Sequence, residues 1–137
     1  MEQAKRSRVF IVDDSAEIRG RLGELLEHVA RAIVVGEADS EQSAIDGILS
    51  ARPDVVILDL HLSTGTGVEV LRSVRRQNHS IGFIVLTNHP TPHYRRICLD
   101  LGASHFLDKN DDFMKVNEII SGWHRTSSNN KKRTTEE

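Results

Sequence analysis

The chain has 137 residues, of which 38% are hydrophobic and 28% charged, and its formal net charge is −2. This length suits one domain with one hydrophobic core, and the composition is typical of a soluble globular protein rather than a disordered one. No apolar run approaches the roughly 20 residues that span a bilayer, and the N-terminus has no apolar signal-peptide core. We therefore expect a cytoplasmic protein without a membrane segment.

The charge is unevenly distributed along the chain. The segments 1–8 and 125–137 each carry a net charge of +2, whereas residues 9–124 hold 11 basic and 17 acidic residues and carry −6. An acidic body argues against a nucleic acid as the main partner. We expect a basic N-terminal extension over 1–7, a folded domain over 8–124 and a disordered polar tail over 125–137.

Short apolar runs alternate with helical patterns along the chain. Five runs predict strands: VFIV (9–12), AIVVGEA (32–38), DVVILD (54–59), IGFIVLT (81–87) and SHFLD (104–108). Each is followed by apolar positions at helical spacing, which begin near Ile18, Ala44, Val68, Ile97 and Phe113. Asp14 or Ser15 and then Ser40 can cap the first two helices, and Gly102 ends the fourth. Cys98, the only cysteine, falls on an apolar helix face, which predicts a buried thiol.

Five strand–helix units with nearly continuous apolar strands predict an α/β fold with a five-stranded parallel sheet that helices cover on both faces. Ligands of such sheets bind outside the carboxyl ends of the strands, near the point where the strand order reverses. The residues at the predicted strand ends are therefore the first place to look for chemistry.

Polar side chains with complementary chemistry stand at four of these ends: Asp13, Asp14, Asp59, Thr87 and Lys109. Three carboxylates brought together repel one another unless a cation neutralises them, and oxygen ligands suit Mg²⁺ or Mn²⁺. A carboxylate oxygen can also act as a nucleophile toward phosphorus, with a lysine stabilising the transferred anion. Each residue alone has an ordinary explanation as a helix cap, a strand end or a solvated cation, so the conjunction carries the inference.

The sequence resembles the receiver domains of two-component response regulators, which are CheY-like proteins. The resemblance covers about residues 8–124 and is carried by four motifs: IVDDS (11–15), VVILDL (55–60), VLT (85–87) and GASHFLDK (102–109). It implies a doubly wound sheet with the strand order 2-1-3-4-5. It also implies a signalling module whose only chemistry is its own phosphorylation and dephosphorylation, rather than a metabolic enzyme.

The resemblance further implies a role for each matching residue. Asp59 would accept a phosphoryl group from a histidine of a sensor kinase or a phosphotransfer protein. Mg²⁺ or Mn²⁺ would be bound by the side chains of Asp14 and Asp59 and by the backbone carbonyl of His61, with Asp13 acting through water. Thr87 would hydrogen-bond the phosphoryl oxygen and Lys109 would pair with it.

Phosphorylation would then change a protein-interaction face. Phe106 would move together with Thr87, and the change would reach the face formed by the fourth helix, the fifth strand and the last helix. Candidates for contacts with a downstream protein on this face are Tyr94, Arg95, Arg96 and His105. A phosphorylation-dependent homodimer through the same face is a further possibility.

Two histidines occupy unusual places. His61 and His89 each lie two residues beyond a key residue, Asp59 and Thr87, and in receivers these positions flank the path of the water that hydrolyses the aspartyl phosphate. Two imidazoles there either shield the acyl phosphate or position water, and the sequence does not decide between these effects. A zinc site that adds His93 to the pair is a weaker alternative, because the spacing matches no known zinc motif.

Other functional classes are open to the same residues. The chain can be the receiver portion of a transcriptional response regulator, since GASHFLDK is similar to receivers of that class, but only a short polar tail follows Trp123 and no direct DNA binding is expected from it. A haloacid-dehalogenase phosphatase needs a D-x-D motif on its first strand, whereas Asp59 lies on the third. No glycine-rich phosphate loop follows the first strand, which disfavours a nucleotide-binding protein.

Overall fold

The computed structural model of the protein describes residues 6–123, so the predicted tail and most of the predicted N-terminal extension lie outside the described residues. The strands are β1 (Arg8–Val12), β2 (Ile33–Ala38), β3 (Val55–Leu58), β4 (Gly82–Thr87) and β5 (His105–Asp108). The helices are α1 (Ala16–His28), α2 (Glu41–Ala51), α3 (Gly67–Gln77), α4 (Pro92–Asp100) and the single turn α5 (Lys109–Asp112). Residues 115–123 are also helical and are called the C-terminal helix below.

All five strands lie in one parallel sheet with the order β2-β1-β3-β4-β5, which confirms the predicted fold. The chain starts in β1, adds β2 on one side and then crosses to β3 on the other side. The order therefore reverses between β1 and β3, and a crevice opens at their carboxyl ends. Because Val12 is in register with Leu58, the residues that follow these two strands enter the crevice side by side.

The two faces of the sheet bury separate apolar clusters. On one face, Phe10, Val56 and Val85 pack with side chains of α2, α3 and α4. On the other face, Ile11, Ile57 and Ile84 pack with side chains of α1 and the C-terminal helix. Burying an aliphatic or aromatic side chain contributes about 1.5–3 kcal/mol, and both faces of the central strands contribute in this way. Within residues 6–123, no helix is long and apolar enough to cross a membrane.

Short polar side chains begin the helices where the sequence placed them. Ser15, rather than Asp14, caps α1, since its side chain accepts a hydrogen bond from Ile18 N at 3.2 Å. Ser40 and Ser43 form a capping box at the start of α2. Asp14 is therefore not needed as a cap and remains available to the crevice.

Several predicted strands begin one residue too early, and two further differences in boundaries bear on the site. β3 ends at Leu58, so Asp59 lies just beyond the strand rather than within it. The predicted last helix does not begin at Phe113, because Phe113 terminates the short turn α5. Asp108 starts that turn by accepting a hydrogen bond from Asn110 N at 2.9 Å, and its own backbone N donates to Asp112 Oδ2 at 3.0 Å. These local bonds form a separate turn that holds Lys109 at the end of the sheet.

Gly67 provides a test of how closely α3 approaches the end of β3. A Cβ atom at this position would meet the carbonyl oxygen of Asp59 and the Cα of Leu60. We expect Gly67→Ala to lower the free energy of unfolding by about 2 kcal/mol, because backbone must move to admit the methyl group. Urea titration followed by circular dichroism measures the change.

Gly20→Ala is the matched control, since a Cβ there meets nothing within 4 Å and the residue lies inside α1. Alanine is favoured over glycine in a helix by about 1 kcal/mol, so this variant should be more stable than wild type. Equal effects of the two substitutions would contradict the close approach at Gly67.

Candidate functional site

A buried ion-pair cluster occupies the crevice at the carboxyl ends of the strands. Lys109 Nζ lies 2.6 Å from Asp13 Oδ2 and 3.1 Å from Asp59 Oδ2. The side chains are 8%, 3% and 7% exposed respectively, so all three charges are largely removed from water. Isolated charges at such depth are costly, and this cluster is tolerated because the lysine pairs with both carboxylates.

The pKa values of the cluster move in directions that follow from burial and charge. Burial raises the pKa of Asp59, and the neighbouring Asp13 raises it further, while Lys109 and the hydrogen bond from Leu60 N lower it without cancelling the rise. Burial alone would lower the pKa of Lys109, but its contacts with Asp13 and Asp59 outweigh burial and the pKa is raised. The lysine therefore stays charged while Asp59 is less acidic than an ordinary aspartate.

Three carboxylates form one potential metal site. Oxygens of Asp13, Asp14 and Asp59 all lie within 4.8 Å of one another. Asp13 is buried and uses both of its oxygens, since Oδ2 meets Lys109 and Oδ1 accepts a hydrogen bond from Ser15 N at 2.9 Å. Asp14 is exposed. An all-oxygen donor set of this kind suits a hard divalent cation.

The backbone holds Asp59 in place on the side away from the lysine. Its Oδ1 accepts a hydrogen bond from Leu60 N at 2.8 Å, and its own N donates to Val12 O at 2.9 Å. One carboxylate oxygen thus faces the lysine and the other is fixed by the chain that follows. The carboxylate has a defined orientation before any ligand binds.

Thr87 and Phe106 lie on the neighbouring strands β4 and β5 and contact groups outside this cluster. Thr87 is fully buried, and its Oγ1 accepts a hydrogen bond from His89 N at 3.0 Å. Phe106 is 8% exposed, is in register with Val85 and belongs to the core on the α4 side of the sheet. The threonine hydroxyl is therefore linked to the loop that carries His89.

His61 and His89 lie in direct contact at the mouth of the crevice. Their ring centroids are 4.0 Å apart with an angle of 41° between the planes, and both residues are exposed. The ring of Tyr94 stands edge-on to His61 at 5.9 Å. The crevice has a volume of about 650 Å³, and its lining includes Asp14, Asp59, His61, His89, Lys109 and Phe113.

The alternative zinc site is not assembled. Among the described residues, Asp13, Asp14 and Asp59 form the one group of three or more potential ligands close enough to share an ion. His93 instead lies beside Tyr94, with 6.0 Å between the ring centroids. The histidine pair alone lacks the third protein ligand that a typical zinc site has.

The predicted partner residues differ in their exposure. Arg95 and Arg96 are exposed on α4, whereas Tyr94 is half-buried against the core and His61. His105 is also half-buried, its Nδ1 has no hydrogen-bond partner, and burial lowers its pKa. Their role in partner contacts stays a prediction.

The sequence reasoning missed one wall of the crevice. The guanidinium carbon of Arg21 lies 4.9 Å from the ring centroid of Phe113, and both side chains line the crevice. Arg21 occupies an exposed polar position of α1, and Phe113 fits an apolar helix pattern. Neither signal in the sequence indicates that the two would meet.

Replacing Asp59 with asparagine should stabilise the metal-free protein at neutral pH. The pKa of Asp59 is higher in the folded chain than in the unfolded one. The free energy of unfolding therefore falls as the pH rises from the unfolded-state pKa of Asp59 to its folded-state pKa. We expect Asp59→Asn to raise Tm by a few degrees at neutral pH in EDTA. The gain should shrink in acid, where both states of the wild type are protonated. Calorimetry at the two pH values measures it.

Asp46→Asn is the control, because Asp46 is exposed on α2 and its Oδ1 accepts a hydrogen bond only from the neighbouring Gln42 side chain. Its Tm should stay close to that of the wild type at both pH values. A lower Tm for Asp59→Asn at neutral pH would contradict the unfavourable burial of the carboxylate.

Comparison with known proteins agrees with this geometry. The family model of the response regulator receiver domain matches residues 9–121. The chain is 33% identical over 113 residues to the DNA-binding transcriptional activator DevR/DosR of Mycobacterium tuberculosis, a match that covers 82% of this chain and 52% of that protein. It is 30% identical over 115 residues to Protein CcdB of Bacillus subtilis, covering 84% of this chain and 95% of that protein.

The fold is also found in solved structures. The response regulator domain of Thermotoga maritima CheB superposes with a TM-score of 0.78 at 23% identity, over 91% of this chain and 98% of that one. Several curated relatives are much longer proteins, of which the chain spans about half or less. The family match, the relatives and the sheet order together place this chain in the response regulator receiver family of two-component signal transduction.

Proposed function

We propose that Asp59 is the phosphoacceptor of this receiver and that a phosphohistidine of a sensor kinase or phosphotransfer protein is the donor. The contact between Lys109 Nζ and Asp59 Oδ2 at 3.1 Å carries the proposal, because it fixes a cation where the transferred phosphoryl oxygens would lie. Asp59 also lies, with Asp13 and Asp14, at the point where the strand order reverses.

The transfer forms a bond between an Asp59 oxygen and phosphorus and breaks the bond between phosphorus and the donor imidazole. The imidazole leaves with the electron pair of that bond and takes up a proton. The transfer requires a deprotonated Asp59, and Lys109 favours this form in a site where burial opposes it. When bound, Mg²⁺ or Mn²⁺ neutralises charge on the carboxylates and on the transferred group.

The arrangement of the three aspartates supports different modes of metal binding, through water for Asp13 and directly for Asp14 and Asp59. Both oxygens of Asp13 are already used within the protein, which favours contact with the ion through water. Asp14 is exposed and close to Asp59, which favours direct binding by these two side chains. The backbone carbonyl of His61 would complete the protein ligands.

A switch can start at Thr87. When its hydroxyl turns to donate to the phosphoryl group, its hydrogen bond with His89 N changes, and the side-chain volume that it leaves is open to Phe106. The change would bias the face formed by α4, β5 and the C-terminal helix, where Arg95 and Arg96 are exposed and Tyr94 and His105 are half-buried. A downstream protein or a second copy of the phosphorylated chain would bind this face.

The histidine pair would shield the acyl phosphate. The two rings touch across the mouth of the crevice and thereby join the loop after β3 to the loop after β4. Because both histidines line the crevice together with Asp59, such a pair would restrict the approach of water to the acyl phosphate. The function of the two imidazoles is thus to lengthen the life of the phosphorylated state.

Acetyl phosphate with Mg²⁺ should add one phosphoryl group to the wild-type protein and none to Asp59→Asn. Intact-mass spectrometry detects the adduct, and removal of the metal with EDTA should abolish it. Asp54→Asn controls for the loss of a carboxylate, since Asp54 lies at the opposite end of β3. An unmodified wild type, even with a cognate kinase, would refute the proposed function.

His61→Ala and His89→Ala should each shorten the half-life of the aspartyl phosphate, and the double variant should be no faster than the quicker single one. Non-additivity follows because each substitution removes the same ring contact. His79→Ala, an exposed residue between α3 and β4, is the control. Radiolabel loss after donor removal measures the rates, and slower hydrolysis in either variant would instead mean that the imidazoles position water.

A second candidate is the receiver portion of a transcriptional regulator. The relative DevR/DosR is a DNA-binding activator, and this chain matches 52% of its length. Detection of the native protein in cell extract by an antibody against the receiver distinguishes the two cases by size. A species much longer than 137 residues would favour the regulator.

A further inference from the structure

Hydrogen bonds connect the loop between β3 and α3 to Asp39 and Glu41, at the start of α2. Ser63 donates from N and from Oγ to the carbonyl oxygen of Asp39, at 2.9 and 2.8 Å. Glu41 N donates to Thr64 O at 2.9 Å, and Thr66 N donates to Glu41 Oε1 at 3.0 Å. Leu60 and Leu62 anchor the first part of the loop in the core, whereas residues 63–66 are exposed and these four hydrogen bonds hold them.

These hydrogen bonds are adjacent to the backbone of His61, whose carbonyl is a proposed metal ligand. Thr66 and His61 form an antiparallel β-bridge, and Gly67 N donates to Leu60 O at 2.9 Å beside it. The hydrogen bond from Thr66 N to Glu41 Oε1 therefore holds in place the residue that pairs with His61. Moving Thr66 would move the backbone of His61, whose carbonyl is a proposed metal ligand.

Gly65 permits the close approach of Glu41. Its φ is +79°, a conformation that favours glycine, and a Cβ there would collide with Cβ and Oε1 of Glu41. Glycine is therefore required here for two reasons: the loop needs a positive φ, and the Glu41 side chain leaves no room for a Cβ.

Capping α2 does not account for the carboxylate of Glu41. The first turn of that helix is already served by the capping box of Ser40 and Ser43. A glutamate in the first turn interacts favourably with the helix dipole, but this effect needs only its charge. The bond to Thr66 N needs an acceptor atom at a defined place, and a neutral amide can supply one.

We propose that Glu41 is a positioning residue that holds the loop after β3, and through Thr66 the backbone of His61, in the geometry that binds the divalent cation. This inference rests on the proposed function, because it concerns the affinity of that metal site. Partners in the outer shell of a metal commonly affect affinity by 10–100-fold.

Glu41→Ala, Glu41→Gln and Gly65→Ala provide the test. We expect Glu41→Ala to weaken Mg²⁺ binding by about 10-fold in isothermal titration calorimetry. Glu41→Gln should retain wild-type affinity, because its amide oxygen can accept the same bond. Gly65→Ala should weaken binding as well, because its Cβ would collide with Cβ and Oε1 of Glu41 and displace the carboxylate from Thr66 N.

Hydrogen exchange in the metal-free protein gives a second readout. The amide of Thr66 should lose protection in Glu41→Ala and keep it in Glu41→Gln, while the amides of β3 stay unchanged. Asp46→Ala is the matched control on α2, because its carboxylate contacts Gln42 on the same helix rather than the loop. Its affinity and exchange should equal those of the wild type.

The outcomes separate the two proposals. A wild type that binds no Mg²⁺ contradicts the proposed function itself. Wild-type affinity in Glu41→Ala overturns only the role of Glu41, even if Thr66 loses protection. Equal weakening in Glu41→Gln and Glu41→Ala also overturns it, since the cause would then be charge rather than the hydrogen bond.

Discussion

The candidate site depends on the contact of one buried ammonium with two buried carboxylates. Lys109 lies between Asp13 and Asp59 at hydrogen-bonding distances from both. Without it, two buried negative charges would face each other, and the pKa of Asp59, already raised by burial and by Asp13, would rise further. With it, the ionised form of Asp59 is favoured, as its proposed role as a nucleophile requires. The rise in the pKa of Asp59 indicates that the compensation is incomplete, which leaves room for a metal cation to stabilise the site further.

The sheet makes this contact possible through its order rather than its size. Two apolar strands deliver Asp13 and Asp59 side by side where the order reverses, and β5 delivers Lys109 from the far edge. The turn α5 begins directly after β5, because the Asp108 side chain accepts from Asn110 N and Asp112 accepts from Asp108 N. The lysine thus follows the strand immediately, and its long side chain spans the remaining distance.

The sequence predicted the fold and the ion cluster well because both depend on strong local signals. Runs such as VVIL identify a buried strand, and the parallel topology then brings the strand ends together. The ends of elements were less predictable. Phe113 fits a helical apolar pattern, yet it ends a separate turn that Asp108 begins by accepting a hydrogen bond from Asn110 N. The spacing of apolar residues contains no information on such local side-chain hydrogen bonds.

The hydrogen bonds around Glu41 were not predicted for a related reason. Glu41 begins α2 and Thr66 caps α3, so both are polar residues at helix ends outside any apolar pattern, and their contact depends on Gly65 with its positive φ. The contact of His61 with His89 was also beyond reach, because the sequence places each beside a key residue but not beside the other. Polar contacts between distant loops require coordinates.

The origin of the cluster in β1, β3 and β5 also bears on biosynthesis. A nascent chain that has emerged only through β4 contains both carboxylates but not their lysine, and no contiguous half of the domain contains the whole cluster. Partly made or partly unfolded molecules therefore lack the arrangement that Asp59 chemistry needs. Under the proposed function, a molecule can accept a phosphoryl group only after β1, β3 and β5 have assembled.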